Sequence, residues 1–167
     1  FQMGGLVCIV SSCWLTGRLA DKHNPSTLCI LFSAGFAVSS VAFFSLLYTA
    51  APVVSEVVLA YFATGFFAGI MNFWPIFMCD VFPARIRFSG ISFAYNIAYA
   101  LSGAFTPQLS FALHAYAKTH PDTLGAMGLS AYIVFLALVS IGTALAMRRV
   151  YKNGGAAVSQ MEFRPAP

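Results

Sequence analysis

Charged residues along this chain are confined to a few short stretches, and between them lie four long uncharged runs. They cover 28–49, 57–79, 90–113 and 124–147, with 22, 23, 24 and 24 residues. Each is long enough to cross the ~30 Å hydrocarbon core of a bilayer, which takes about 20 apolar residues at helical rise. A fifth run, 1–15, is as uncharged but makes only about 22 Å of helix. It reads as the inner part of a span that starts further upstream. The connections carry the expected breakers: 16–27 with Pro25, 50–56 with Pro52, 80–89 with Pro83 and 116–123 with Pro121. The pattern predicts an all-α, polytopic transmembrane helical bundle of about five spans over 1–148. A polar tail over 149–167, with Asn153-Gly154-Gly155 and a Pro-rich end, is expected to be disordered.

Composition narrows the alternatives. Apolar residues are 59% and charged residues 8% of the 167-residue chain, and the mean hydropathy is +0.80. A soluble domain carries about 25% charged residues to keep its surface hydrated. Four buried helices of a large soluble core could also be apolar all round, but four in a row with charge only at their junctions fit a membrane better. No basic segment precedes the first apolar run, so that run does not read as a signal peptide.

A net charge of +4 is compatible with a nucleic-acid partner, but the positions of the bases argue against one. Taking alternate connections, Arg18, Lys22, Arg85, Arg87, Arg148, Arg149, Lys152 and Arg164 fall on one side, and only Lys118 on the other. Eight against one is a positive-inside signal. It predicts a multi-pass protein of the cell membrane with a cytoplasmic C-terminus, lipid as its surroundings and no nucleic-acid partner.

Catalytic chemistry needs positioned ionisable groups, and the runs hold almost none. Glu56 and His114 lie near the outer surface and Asp80 at the inner end of the third run. Cys8, Cys13, Cys29 and Cys79 form no CxxC pair and no metal-ligand spacing, and read as buried free thiols. No metal, cofactor or enzymatic activity is expected. The fourth run instead carries a polar stripe: Ser92, Tyr95, Asn96, Tyr99, Ser102, Gly103 and Thr106 recur at helical spacing. A weaker stripe on the third run joins Tyr61, Gly65, Ala68, Asn72 and Pro75. Such faces meet either a water-filled cavity or another helix, where Ser, Thr and Asn act as interhelical glue. Pro75 and Pro107 inside the runs bend the helix, as static kinks or as hinges. Gly65 and Gly69 form GxxxG, a pattern for close backbone approach.

Two loops carry a resemblance. Gly17-Arg18-Leu19-Ala20-Asp21-Lys22 resembles the G-x-L-x-D-R/K loop of the major facilitator superfamily, found between helices two and three and between eight and nine. Phe82-Pro83-Ala84-Arg85-Ile86-Arg87-Phe88-Ser89-Gly90 is similar to the loop between helices ten and eleven in its metabolite:proton symporter family, and the 95–107 stretch that follows is similar too. That family includes proline/betaine, ketoglutarate, citrate and shikimate permeases. Asn24 and Pro25 depart from it, standing where the loop usually has Gly and Arg.

The resemblance implies that the five spans are helices eight to twelve of a twelve-helix transporter, a C-terminal fragment of it. It implies a bacterial inner-membrane symporter that moves a small polar organic solute (organic acid, amino acid or betaine) with protons by alternating access. Helices ten and eleven of such folds line or flank the central cavity, and nine and twelve are mostly scaffold. Asp21, Lys22, Asp80, Arg85 and Arg87 would then belong to a cytoplasmic gate. Asn72, Tyr95, Asn96, Tyr99 and Ser102 are substrate-cavity candidates. The partners implied are the solute, protons and the missing N-terminal helices of the same transporter. Since no carboxylate falls at mid-membrane depth, the proton-coupling acid is expected in those missing helices. The rival expectation is a non-transporting membrane subunit or a truncated, inactive remnant.

Overall fold

A computed structural model describes residues 2–47, 53–119 and 123–152. Among the described residues every regular element is helical: α1 (Gln2–Ala20), α2 (Pro25–Leu47), α3 (Val54–Phe67), a 3₁₀ segment (Ala68–Asn72), α4 (Phe73–Val81), α5 (Arg87–Thr119) and α6 (Thr123–Lys152). The protein is an all-α polytopic bundle. Four stretches are long and apolar enough to cross a membrane: Met3–Ala20, Pro25–Leu47, Val54–Val81 and Gly128–Arg149. α5 has the length, at 33 residues, but its Ser, Tyr, Asn and Gly make it less apolar than these four.

Local chemistry sets the helix ends. α1 runs on to Ala20, so Gly17 and Arg18 belong to its last turn rather than to a connection beginning at residue 16. It ends where the Leu19 carbonyl accepts both the Lys22 and the His23 N–H, at 3.1 and 2.9 Å. Asn24 then caps α2: its side-chain Oδ1 accepts the Ser26 N–H at 2.9 Å, and its carbonyl accepts those of Thr27 and Leu28. Pro25 fills the first helical position, where no N–H is needed. α6 continues past the expected end of its span at Met147 as far as Lys152. The rest of the expected tail, 153–167, lies outside the described residues, as does Pro121.

The third apolar run, expected as one span, is one candidate span, Val54–Val81, but its α-helix is interrupted. Pro75 has no N–H for the Met71 carbonyl and its ring crowds that carbonyl, so the turn ahead of it tightens. The 3₁₀ segment Ala68–Asn72 results, and the Phe73 N–H bonds the Ile70 carbonyl three residues back. Pro107, by contrast, sits within an uninterrupted α5.

In space α3 lies between α1 and α2, α2 packs on α6, and α5 packs on the far side of α6. The core is aromatic. Phe32 meets Phe66, Phe67 and Phe73 at centroid distances of 6.0, 5.8 and 6.0 Å, beside buried Leu28, Phe77, Ala144 and Met147. Around it Leu6, Val10, Leu31, Val38, Phe105 and Phe111 stand exposed. In water so much exposed apolar surface would drive association; lipid is the solvent that suits it.

The contact of α1 with α3 and the 3₁₀ segment is a seam of small residues. Buried Gly5, Ser12 and Thr16 share one face of α1. Opposite them, Gly65 lies 3.5 Å (from its would-be Cβ) from the Gly5 carbonyl oxygen, and a Cβ on Gly69 would strike the Ser12 hydroxyl. Gly65 and Gly69 therefore do bring two backbones together, as GxxxG allows.

Candidate solute cleft and neighbouring loops

α4 leans toward α5, and between them and α6 opens a cleft of about 540 Å³. Met71, Trp74 and Met78 face it from the 3₁₀ segment and α4, at i, i+3 and i+7. Tyr95, Tyr99 and Ser102 face it from α5 at i, i+4 and i+7, and Leu136 closes it from α6. The rings of Tyr95 and Tyr99 lie 5.1 Å apart, inclined at 33°. Ser102 donates its hydroxyl to the Tyr99 carbonyl at 3.3 Å, and Tyr99 is 62% exposed. Next to the cleft, Thr106 and Tyr132 join α5 to α6 with hydroxyl oxygens 3.1 Å apart.

Three of the five cavity candidates thus meet in one place. Asn96 does not: it stands exposed on α5 outside the cleft lining. Asn72 does not either. Its amide Nδ2 turns to α1 and donates to the Cys13 carbonyl at 2.9 Å and the Thr16 hydroxyl at 2.8 Å. The weaker stripe of the third run (Tyr61, Gly65, Asn72) accordingly faces α1. Tyr61 lies against Gly5, where an added Cβ would meet its ring.

Sequence reasoning looked for polar groups and so passed over Met71, Trp74 and Met78. Their i, i+3, i+7 spacing was the available signal. Among the described residues that line the cleft, none is charged. The lining holds two phenols, one indole, one aliphatic hydroxyl and two thioethers, groups that hydrogen-bond a polar solute or present aromatic faces to a cation. They cannot neutralise a carboxylate.

The gate candidates sit on or beside the two short connections that join α1 to α2 and α4 to α5. Asp21 and Lys22 directly follow α1, and both are exposed. Beside them Arg18 lies over the ring of exposed Trp14, 4.0 Å from its centroid. Asp80 occupies the last turn of α4 and is exposed. Between α4 and α5 the chain makes a tight turn, with the Ile86 N–H on the Pro83 carbonyl at 3.1 Å. Arg87 closes that turn by donating Nε to the Phe82 carbonyl at 3.2 Å, and Gly90 passes so close under the Phe82 ring that a Cβ there would collide. Arg85 remains exposed on the loop. At the opposite end of the bundle a second cleft of about 440 Å³ lies between α2 and α3, with Ser39, Ser55 and Glu56 on its wall. No group of metal-ligating residues occurs among the described residues.

Among curated proteins the chain is similar to one from Haemophilus influenzae named "Putative metabolite transport protein", with 26% identity over 136 residues. The match covers 80% of this chain and 29% of that relative, so the chain spans under a third of the relative's length. No protein-family model matches the chain, and no solved structure matches it.

Proposed function

We propose that this chain is the C-terminal part of a secondary active transporter of the major facilitator superfamily, of the metabolite:proton symporter type. Its five long helical runs correspond to helices eight to twelve, with α3–α4 as helix ten and α5 as helix eleven. The cargo is a small polar organic solute (an organic acid, amino acid or betaine), taken up with protons by alternating access across a bacterial inner membrane. The observation that carries this reading is the cleft. In a bundle otherwise faced with lipid-compatible side chains, the polar face of α5 opens on a cavity large enough for a solute, opposite Trp74. Sites of this kind, lined by few polar groups on a largely apolar wall, are what small ligands use. The printed name of the Haemophilus influenzae relative supports transport.

On this reading the cleft is one wall of a site shared with the rest of the protein. That other part supplies any charge that balances an anionic solute, and the carboxylate that couples protons. The loops with Asp21, Lys22, Asp80, Arg85 and Arg87 form part of the cytoplasmic gate, on the side the positive-inside asymmetry assigns to the cytoplasm.

The test is uptake by the intact protein in liposomes, using labelled proline, glycine betaine, citrate, 2-oxoglutarate and shikimate with and without an inward proton gradient. Accumulation of at least one solute that follows the gradient and stops with a protonophore is the expected result. Absence of uptake of every solute in a folded, correctly inserted preparation would contradict it.

A further inference from the structure

Asn72 is placed as no solute ligand would be, yet it adjoins the cleft wall. Its neighbours Met71 and Trp74 both line the cleft, while its own amide points away from them to α1. We infer that Asn72 is a positioning residue: by clasping α1 it fixes the 3₁₀ segment, and with it the Met71–Trp74 wall of the cleft. The inference deepens the transport reading and names a control point for the same cleft on a helix that does not line it.

The geometry of the clasp is complete. An Asn side-chain amide has two N–H groups. One goes to the Cys13 carbonyl and the other to the Thr16 hydroxyl. Thr16 is fully buried and passes its own proton back to α1, its Oγ1 lying 2.8 Å from the Ser12 carbonyl oxygen and 3.0 Å from that of Cys13. One hydroxyl therefore accepts from Asn72 and donates within α1. Three residues before Asn72, Gly69 rests against Ser12, so backbone contact and side-chain clasp act on the same turn of α1.

This location gives the clasp leverage. A 3₁₀ segment has poorer hydrogen-bond geometry than an α-helix and is a common place for a helix to flex. Pro75, just beyond, removes a further bond that would stiffen the junction. Without an external hold, α4 could swing about residues 68–72, carrying Trp74 and Met78. Asn72 supplies that hold, and α1 continues from it to the inner loop with Asp21 and Lys22. The side chain thereby connects the cleft to the cytoplasmic face.

The experiment reads cleft geometry without needing a solute. Ser102→Cys places a thiol on the α5 wall opposite Trp74, in intact protein from which other reactive cysteines have been removed. Its alkylation rate by N-ethylmaleimide is measured in membranes for the parent, Asn72→Ala, Thr16→Val and the double variant. Thr16→Val keeps the β-branched shape and exchanges the hydroxyl for a methyl group, which gives a second variant to assay should Asn72→Ala fail to fold. The expected result is a rate change of about threefold in each single variant, the scale of one interhelical hydrogen bond in a bilayer. The double variant should show little further change. Rates equal to the parent in Thr16→Val, or single effects that simply multiply, would overturn the inference. Because labelling does not depend on transport, these outcomes are distinct from a failure of the transport reading, which shows as absent uptake.

Discussion

Ser33 on α2 and Ser140 on α6 face each other inside the bundle with hydroxyl oxygens 3.0 Å apart. Ser33 also lies 2.6 Å from the Cys29 carbonyl oxygen, which takes its single proton, so Ser140 is the donor between the two hydroxyls. The Cys29 thiol approaches Ser140 Oγ at 3.8 Å and completes a closed ring of polar contacts. Lipid offers such groups no alternative partner, and the ring therefore ties α2 to α6 at a defined register. Ser140→Ala should lower stability by about 1 kcal/mol, and Ser140→Leu by more, because the position is buried and has no room. Thermal unfolding of the intact protein in detergent measures both. An unchanged Ser140→Leu would show that the α2–α6 packing is not as described.

The seam of α1 with α3 and the 3₁₀ segment predicts an asymmetry within one motif. A methyl group on Gly65 would find ordinary contact distances, whereas on Gly69 it would collide with Ser12. Gly65→Ala should be nearly silent, and Gly69→Ala should cost about 1–3 kcal/mol as an overpacked site. The yield of monodisperse protein on size exclusion separates the two. Equal tolerance would mean that the helices do not approach at Gly69.

The charge asymmetry predicts labelling patterns. A membrane-impermeant maleimide should reach Lys118→Cys in intact cells, and Lys22→Cys only after permeabilisation. The reverse pattern would invert the proposed topology.

Asp80 lies in the last turn of α4 and is exposed, so the proposed topology puts it at the cytoplasmic surface and not at the mid-membrane depth of a proton-carrying acid. Asp80→Asn should leave uptake dependent on the proton gradient and slow it by no more than about fivefold, as an exposed gate charge would. Loss of proton dependence with solute binding intact would place the coupling acid here instead.

Much of this architecture is legible in the chain because a bilayer imposes a simple code. Three of the four uncharged runs (28–49, 57–79 and 124–147) fall on helices apolar enough to cross a membrane, and the fourth on the less apolar α5. Pro25, visible only as a breaker, proves to be the first residue of α2 behind an Asn24 cap. The α5 stripe put Tyr95, Tyr99 and Ser102 on one face, and they share the cleft. The stripe on the third run was equally visible, but helical spacing tells which residues share a face and not what that face meets. Asn72 consequently pointed to a cavity by chemistry and to α1 by structure. The Ser33–Ser140 contact was hidden for a related reason. α2 carries several serines of similar appearance, and the partner lies 107 residues away. The 3₁₀ segment was foreshadowed by Pro75 only as a bend, since the response of the preceding turn depends on what α1 offers it.

The central claim is that the cleft between α4, α5 and α6 holds the transported solute. Half-saturation of uptake by the intact protein, for the solute it accumulates best, tests this most directly when measured for Tyr99→Ala and for Val38→Ala. Val38 is a lipid-compatible side chain exposed on α2, away from the cleft. Removing the Tyr99 ring takes away an aromatic contact and should raise the half-saturation concentration about tenfold, with Val38→Ala unchanged. Equal values for both variants and the parent would contradict the account.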